Sequence, residues 1–560
     1  MKIRNSRNIY FYVSILAIIS ISFFYFFRID LTSEKRYSIA DQTKKMMNKV
    51  DAPLDIIVYL DGDLNPGFLR LKKSASDFLE ELSVYSKKPI NIRFENPSQA
   101  ENTEEREKKY ANLVSKGLTS IAVFERDKEG KSIQKIIFPW IEISYKGTII
   151  PVNLLKNIRG NSGEENLNIS IENLEFEITD ALRRLTNKEV KKIAFIEGHG
   201  ELNEAETYDI SKSLSRYFQI DRGKLGTNAS ILSEYKAIII AKPTQPFSET
   251  DKFIIDQYIM NGGRVLWLLD GVRIAKENLS STGLSPAMEL DLNLNDQLFK
   301  YGVRINPVIL QDVQCVTIPV NIAPANVPPQ FEPTPWYYAP LLLASPTHPA
   351  TRNITEVKSD FCSGIDIVGN NKKVNFSLLL VTSDNTHIVG IPTTINVNEI
   401  PKADDKAYFN MSYIPVAVEL NGIFESNFAN RILPKEVINP LPFRAESFKT
   451  MQIVIADGDI IRNETNGIAS DSTTLPLGFD RYMNQQFGNK DFIQNAVLYL
   501  TDNDGWMKLR SRTIQLRLLN KKISNENRIV LQMFNIVFPI LLLLIFGFAY
   551  QTFRKRKYTK

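Results

Sequence analysis

The sequence predicts an α/β protein in which two transmembrane helices flank a large extracytoplasmic body. Three observations predict this fold class: an uncharged apolar segment near each end of the chain, apolar strands that alternate with helices in the middle, and short strands with dense proline after them. Apolar strands separated by helices form parallel sheets that helices cover on both faces. A chain of 560 residues is too long for one hydrophobic core, so we expect several domains.

Both apolar segments are long enough to cross a lipid bilayer. Residues 9–27 and residues 529–550 contain no charged side chain. At a rise of about 1.5 Å per residue, each helix spans the roughly 30 Å hydrocarbon core. The first segment lacks the small-x-small cleavage site of a signal peptide, so we interpret it as an uncleaved anchor.

Basic residues flank the two segments on their outer sides. Residues 1–8 contain three Lys or Arg side chains, and residues 551–560 contain five. Because positively charged flanks stay in the cytoplasm, both tails are predicted to be cytoplasmic and residues 28–528 to lie together on the opposite side. The tails account for the net charge of +5: the rest of the chain has 60 basic and 63 acidic residues, so we predict no nucleic-acid partner.

Residues 31–160 are predicted to form a first α/β domain with a thioredoxin-like order of elements. Leu54 to Leu60 and Ile90 to Phe94 are strands by composition, and the apolar spacing from Phe68 to Ser86 indicates a helix between them. Residues 161–187 carry apolar side chains at helical spacing and are predicted to be a connecting helix.

Residues 188–300 are predicted to form a parallel-sheet domain, because apolar strands alternate there with helices. The strands are Lys192 to Ile196, Ala237 to Ala241 and Arg264 to Leu269, and the helices are Glu204 to Phe218 and Glu249 to Asn261.

Beyond this domain, residues 301–510 are rich in proline and short strands, which predicts a β-rich extension; residues 511–528 are a basic juxtamembrane segment that would contact lipid. The second apolar segment contains Gln532, Asn535 and Pro539. Polar groups and proline in a membrane helix mark contacts with other helices, so we predict a partner-facing helix. A position of Gln532 and Asn535 near one membrane interface is the alternative.

The most motif-like segment is Glu197-Gly-His-Gly-Glu201, directly after the first strand of the predicted parallel sheet. Ligands bind at the carboxyl ends of such strands, so Glu197, His199 and Glu201 are candidate ligand-binding residues. The segment contains no nucleophile. The alternative is therefore a tight strand-to-helix turn, in which His199 is a capping or surface residue.

An aromatic and proline-rich stretch, residues 331–340, supplies two more candidates. Trp336 and Tyr337 would line a ligand or partner groove if they are exposed, or pack on their own domain if they are not. The chain has two cysteines, Cys315 and Cys362, and the sequence leaves open whether they form a disulfide.

Other chemistry finds no support in the sequence. Neither the P-loop pattern nor the G-x-S-x-G elbow of α/β-hydrolases is present. The three histidines are far apart, and the cysteines lack the spacing of metal ligands. We therefore predict no catalytic residue, no metal and no cofactor.

Six longer stretches carry a resemblance that covers nearly the whole chain. They are Asp30 to Ser38, Ile196 to Leu202, Gly262 to Asp270, Pro340 to Asn353, Ala456 to Asn463 and Leu477 to Phe492. Through them the chain resembles the GldG family, the auxiliary membrane proteins of the gliding-motility ABC transporter of Bacteroidota.

The resemblance implies a non-enzymatic subunit in the bacterial inner membrane, with a periplasmic body and with separate ABC permease and ATPase subunits as partners. It also implies that the parallel-sheet domain is similar to GIFT domains, which look like class I glutamine amidotransferases; no catalytic cysteine carries over, because both cysteines follow the clear strands of the sheet. Two alternatives are an envelope-tethered protein that binds a glycan through the loops around His199 and Tyr337, and an enzyme with an amidotransferase-like body.

Overall fold

The computed structural model describes residues 38–126, 132–158, 161–187, 189–323, 327–368, 373–397, 405–438, 442–466, 473–511 and 527–558. The predicted first membrane segment, residues 9–27, and most of the basic juxtamembrane segment lie outside these ranges. The mixed α/β class is confirmed. Residues 513–560 form a unit separate from the rest of the chain, and each unit is described by itself.

The amino-terminal part of the body is built on a four-stranded sheet. Its elements are α1 (Asp41–Met47), β1 (Leu54–Val58), α2 (Pro66–Tyr85), β2 (Ile90–Phe94), α3 (Thr103–Ser115), β3 (Ile121–Arg126), β4 (Ser132–Ile137), β5 (Trp140–Tyr145), β6 (Thr148–Asn153) and α4 (Gly163–Thr186). The strand order is β2-β1-β5-β6, with β1 parallel to β2 and antiparallel to β5. Strands β3 and β4 form a separate hairpin. The description of this part as thioredoxin-like stays a prediction.

Local sequence explains where the main helices of this part begin. The side chain of Asn65 accepts a hydrogen bond from the amide of Phe68 at the start of α2. Ser162 and Glu165 form a capping box at the start of α4, because each side chain bonds to the backbone of the other residue. Buried apolar side chains on one face then hold each helix against its neighbours.

The larger part of the body begins with β7 (Lys191–Ile196), α5 (Tyr208–Leu214), β8 (Phe218–Gly223), β9 (Tyr235–Ala241), α6 (Glu249–Met260), β10 (Val265–Leu268), β11 (Val272–Ile274), α7 (Lys276–Thr282), β12 (Leu284–Glu289), α8 (Asn295–Tyr301), β13 (Val303–Ile305), β14 (Val308–Asp312), β15 (Cys315–Asn321) and β16 (Phe331–Ala344). It continues with β17 (Val357–Lys358), β18 (Ile365–Ile367), β19 (Val374–Val381), β20 (Thr386–Gly390), β21 (Thr393–Asn396), β22 (Pro415–Gly422), β23 (Thr450–Ile455), β24 (Thr465–Asn466), β25 (Thr473–Thr474), β26 (Phe479–Asp480), β27 (Gln485–Gln486) and α9 (Asn489–Leu500). Short 3₁₀ helices lie at Asp459–Ile461 and Trp506–Ser511.

One ten-stranded sheet organises this part, with the order β15-β16-β19-β22-β23-β10-β9-β7-β8 and with β17 beside β16. Strands β8, β7, β9, β10 and β23 run parallel, whereas β22, β19, β16 and β15 add antiparallel pairs. The sheet therefore continues from the segment 188–300 into the segment 301–510, because β23 pairs directly with β10. Apolar clusters cover both faces of its parallel half.

The prediction of a helix from Glu204 to Phe218 is wrong in its extent. Only α5, Tyr208–Leu214, is helical, and Phe218 begins β8, the parallel edge strand. Strand β8 reads Phe-Gln-Ile-Asp-Arg-Gly and lacks the continuous apolar run of a buried strand, because an edge strand has one side open to solvent.

The last helix, α10, comprises Arg528–Tyr558 and contains Pro539 in its interior. Within the described residues it is the one helix long and apolar enough to cross a membrane, with a mean hydropathy of 2.6 over its most apolar window. Its apolar side chains are exposed along its length. By length and composition, a helix of this kind could cross a membrane.

Candidate functional site

The site begins at the carboxyl ends of four neighbouring parallel strands, β7, β9, β10 and β23. A charged residue follows each strand within two positions: Glu197 after β7, Lys242 after β9, Asp270 after β10 and Asp457 after β23. Because the strands are neighbours in one sheet, their ends lie side by side. This edge is where α/β folds place their ligands.

The loop after β7 is held in one conformation by its backbone. The carbonyl oxygen of His199 accepts hydrogen bonds from the amides of Thr244 and Gln245, at 2.8 and 2.9 Å. Gly200 has a φ of +73°, and a Cβ atom at this position would lie 2.1 Å from the hydroxyl oxygen of Thr244. Only glycine fits here, so the glycine-rich sequence serves a tight turn against the loop after β9.

The imidazole of His199 lies between two carboxylates. Its Nδ1 is 3.0 Å from Glu201 Oε1, and its Nε2 is 3.2 Å from Asp251 Oδ2. The ring stacks on Phe247 with a centroid distance of 3.7 Å, and the residue is 7% exposed. Burial by itself would lower the pKa of His199, but the hydrogen bonds and charges of Asp251 and Glu201 outweigh it and raise the pKa to about 9. His199 is therefore a buried cation at neutral pH.

This arrangement does not activate a nucleophile. Ser248 caps α6, and its hydroxyl donates to Asp251 Oδ2 at 2.6 Å rather than to the histidine. The order is serine, carboxylate, imidazole, carboxylate, whereas a catalytic triad needs the imidazole next to the serine. Both nitrogens of His199 face carboxylates, so the ring has no lone pair with which to accept a proton from Ser248.

Glu197 turns away from His199 and pairs with Arg222 of β8. The distance from Arg222 Nε to Glu197 Oε1 is 2.8 Å. The same guanidinium donates to Thr207 Oγ1 at 3.0 Å and to the carbonyl oxygen of Leu202 at 2.7 Å. Of the three candidates in this loop, the structure joins His199 with Glu201 and gives Glu197 a different partner. All three contribute to folding the loop.

A second group of charges, which sequence reasoning missed, fills the rest of the edge. Lys242 Nζ lies 2.7 Å from Asp270 Oδ2 and 2.6 Å from Asp459 Oδ2. Lys276 Nζ lies 2.8 Å from the same oxygen of Asp459 and also pairs with Asp360. The side chains of Lys242, Asp270 and Asp459 are at most 15% exposed. Lys242, Asp270, Lys276, Asp360 and Asp459 are called the strand-end cluster below.

In the strand-end cluster, burial disfavours the charged forms of the side chains, whereas the neighbouring opposite charges favour them. Burial would lower the pKa of Lys242, but Asp270 and Asp459 raise it well above its usual range. Burial would raise the pKa of Asp459, but Lys242 and Lys276 hold it far below the ordinary carboxyl value. Asp457 lies beneath, where its two oxygens accept the amides of Asp459 and Asp360 at 2.7 and 2.9 Å. The cluster therefore resembles a structural ion-pair network rather than an open site.

Little room for a ligand remains beside these side chains. The cavity that borders Asp270 and Gly271 has a volume of about 20 Å³, which is space for about one water molecule. Among the residues that the structure describes, no group of three or more His, Cys, Asp or Glu side chains is arranged to hold a metal ion.

The aromatic candidates belong to an antiparallel strand of the same sheet. Trp336 and Tyr337 are on β16 and are 7% and 4% exposed, and Trp336 packs against Tyr338 and Phe361. Phe361 also lies beside the strand-end cluster, because its ring centroid is 5.6 Å from Lys276 Nζ. Their burial fits the packing alternative, and the structure does not bring them together with His199.

The two cysteines are free thiols, and Cys362 is fully buried. Burial raises the pKa of the Cys315 thiol to about 12 and that of Cys362 well above its usual value. Both are therefore protonated near neutral pH, which is the wrong state for a cysteine nucleophile.

The candidates in the apolar helix share one face. Gln532, Asn535 and Pro539 lie within an arc of about 60° of α10, because a helix turns by about 100° per residue. Among the residues of this helix whose burial the structure describes, none is buried.

Comparison with known proteins gives a consistent assignment. A family described as an ABC-type uncharacterized transport system matches residues 190–496, more than half of the chain and nearly all of the ten-stranded sheet. A domain of unknown function matches residues 33–144. An uncharacterized protein of Borreliella burgdorferi is 22% identical over 542 residues, which cover 95% of this chain and 94% of that protein.

Among solved structures, the N-terminal domain of mmIFT52 aligns with 56% of this chain and 99% of its own, with 14% sequence identity and a TM-score of 0.32. A likeness at this level supports no assignment of fold, so the predicted similarity to GIFT domains stays a prediction. The family match, by contrast, covers more than half of the chain, including the strands that bear the site. The chain belongs to the family of ABC-type transport systems and is an auxiliary protein of such a system.

Proposed function

We propose that this protein is a non-enzymatic, membrane-anchored subunit of an ABC-type transport complex and works with separate permease and ATPase subunits. The observation that carries the proposal is the strand-end cluster. At the edge where an α/β fold would hold a substrate, buried ion pairs between Lys242, Asp270 and Asp459 join three neighbouring strands. An edge that buried ion pairs tie together is suited to transmit or support rather than to catalyse.

The proposed topology places both termini in the cytoplasm and residues 28–528 in the periplasm. Its support is the pair of uncharged segments, the basic residues outside each of them, and the exposed apolar surface of α10. A body anchored at both ends would follow movements of the permease helices when the ATPase binds and releases nucleotide. Anchoring at two points therefore gives a physical route for coupling across the membrane.

The face of α10 that carries Gln532, Asn535 and Pro539 is the proposed contact with the permease. Amide side chains in hydrocarbon are costly unless they form hydrogen bonds, and in membranes they find partners on other helices. The basic juxtamembrane segment would lie near anionic lipid.

In-cell photo-crosslinking tests this contact. A photoreactive amino acid in place of Asn535 is expected to form an adduct with the permease, and purification in mild detergent is expected to recover permease and ATPase. The matched control is the same residue in place of Leu541, about 120° away from Asn535 on α10, which should give much less adduct. Equal adducts from both positions, or recovery of the protein alone after cross-linking, would contradict the proposal.

A role in gliding motility is the narrower form of this proposal, and the resemblance to the GldG family supports it. Deletion of the gene in a gliding host should abolish surface movement, and the wild-type gene should restore it. Unchanged gliding in the deletion strain would refute the narrower form and leave the transport-subunit proposal to the cross-linking experiment.

A further inference from the structure

A large groove lies in the amino-terminal part of the body, away from the ten-stranded sheet. It has a volume of about 720 Å³ and opens at the carboxyl ends of the parallel strands β1 and β2, beside α3. This volume lies in the range of small-molecule sites, and the position is the one where parallel strands present their ligands. We propose that this groove binds a short, uncharged saccharide.

The groove exists because α3 stands off from the sheet. Of the thirteen residues of α3, Leu113 alone is buried. The face that carries Glu105, Lys109 and Asn112 lines the groove, together with Lys116 just beyond the helix. The first half of α3 is almost entirely charged, so it has no apolar side chains with which to close the space.

Hydrogen bonds between its walls fix the shape of the groove. Lys109 Nζ donates to the carbonyl oxygen of Gln99 at 2.9 Å, and the amide of Glu101 donates to Glu105 Oε2 at 3.1 Å. The hydroxyls of Ser98 and Tyr110 are 2.8 Å apart. These bonds tie the loop after β2 to α3, so a ligand would enter a preformed site and would not have to order it.

The base of the groove is a buried polar unit. The hydroxyl of Tyr59 donates to Glu142 Oε2 at 2.6 Å, and Lys116 Nζ lies 3.6 Å from Glu142 Oε1. The Glu142 side chain is 9% exposed. Burial and the charge of Glu142 raise the pKa of Tyr59, so it remains a hydroxyl. Phe94, which also lines the groove, adds an aromatic surface.

The lining has donors and acceptors on both walls. Amide side chains, which offer both, come from Asn96 and Gln99 on the loop and from Asn112 on α3. Sugar hydroxyls also donate and accept, so they match such groups in pairs. The apolar face of a sugar ring would pack against Phe94.

The charged and polar side chains that line the groove disfavour both anionic and cationic ligands. The carboxylates of Glu95, Glu101 and Glu105 outnumber the two lysines of the lining, which disfavours an anion. A simple ammonium ligand has no acceptor to offer the amide groups of the lining. A neutral ligand with several hydroxyls satisfies both groups.

Isothermal titration of the full chain in a detergent without a sugar headgroup tests the proposal, with cellotriose, triacetylchitotriose and maltotriose as probes. The variant Asn112→Trp would fill the groove, whereas Glu107→Trp places the same side chain about 140° away on α3. We expect at least one trisaccharide to bind to the wild type and to Glu107→Trp, and Asn112→Trp to weaken its binding at least tenfold. The milder Asn112→Ala should weaken it about fivefold through loss of one hydrogen bond.

Thermal midpoints within about a degree of the wild type would show that the variants fold. Absence of binding by all three sugars would overturn the proposal, as would equal affinities of Asn112→Trp and Glu107→Trp. Binding of spermidine without binding of any sugar would also overturn it, because the site would then select for a cation. None of these outcomes depends on the transport complex, so the two proposals fail separately.

Discussion

His199 should titrate as an unusually basic histidine, and its replacement should destabilise the protein at neutral pH much more than at high pH. The ring is buried between Glu201 and Asp251, and these carboxylates raise its pKa from the ordinary 6.5 to about 9. A pKa that is higher in the folded state means that folding favours the protonated ring. The resulting stability is fully present below pH 6.5 and is lost as the pH rises through about 9.

The size of the effect follows from the two pKa values. One pH unit corresponds to about 1.4 kcal/mol, so the full contribution is about 3 kcal/mol. Linkage gives about 2.6 kcal/mol at pH 7 and about 0.4 kcal/mol at pH 9. The variant His199→Gln keeps a hydrogen-bond donor but cannot carry the charge. We therefore expect it to be destabilised by about 2 to 3 kcal/mol at pH 7 and by less than about 1 kcal/mol at pH 9.

Two assays check this prediction. The chain contains three histidines, so NMR of histidine-labelled protein gives few side-chain signals, and the one missing from His199→Gln belongs to His199. That signal should titrate near pH 9. Thermal midpoints of wild type and variant should also differ most at pH 6 to 7 and converge by pH 9 to 10.

A His199 signal that titrates below pH 7 would refute the reasoning, because the ring would then be neutral and available as a base. A difference in thermal midpoint that stays constant from pH 6 to 10 would refute it as well, since it would show a loss of packing on Phe247 without loss of charge.

The remaining predictions compare matched substitutions by thermal unfolding. Gly200→Ala should lower the midpoint more than Gly226→Ala, because both residues have positive φ but a Cβ atom meets another atom only at Gly200; equal effects would show that backbone strain alone matters. Lys242→Met should cost about 3 to 5 kcal/mol, because it removes the cation that pairs with the buried Asp270 and one of the cations that pair with Asp459, and a loss below about 1 kcal/mol would mean that the cluster is hydrated. Trp336→Ala should cost about 3 to 5 kcal/mol and Phe331→Ala, which is 62% exposed on the same strand, less than about 1 kcal/mol; a stable Trp336→Ala variant would favour a binding groove.

Local features of the sequence were enough to predict many elements of the body. Strand β2 has the predicted bounds, Ile90–Phe94, and the strands β7, β9 and β10 differ from prediction by at most two residues at either end. Runs of apolar and β-branched residues bounded by turns produce this agreement, because burial of a strand depends mostly on its own composition. The charged edge strand β8 has no such run and was missed.

The sequence by itself determined that the chain has a long uncharged segment at its carboxyl end, an alternating α/β region and a glycine-rich turn after β7, because each depends on neighbouring residues. Tertiary structure alone decided what that turn does. The partner of His199 at Asp251 is 52 residues away, and Lys242 meets Asp459 across 217 residues. No periodicity encodes such pairs: they arise because β23 joins β10 in parallel and brings its carboxyl end beside those of β9 and β10.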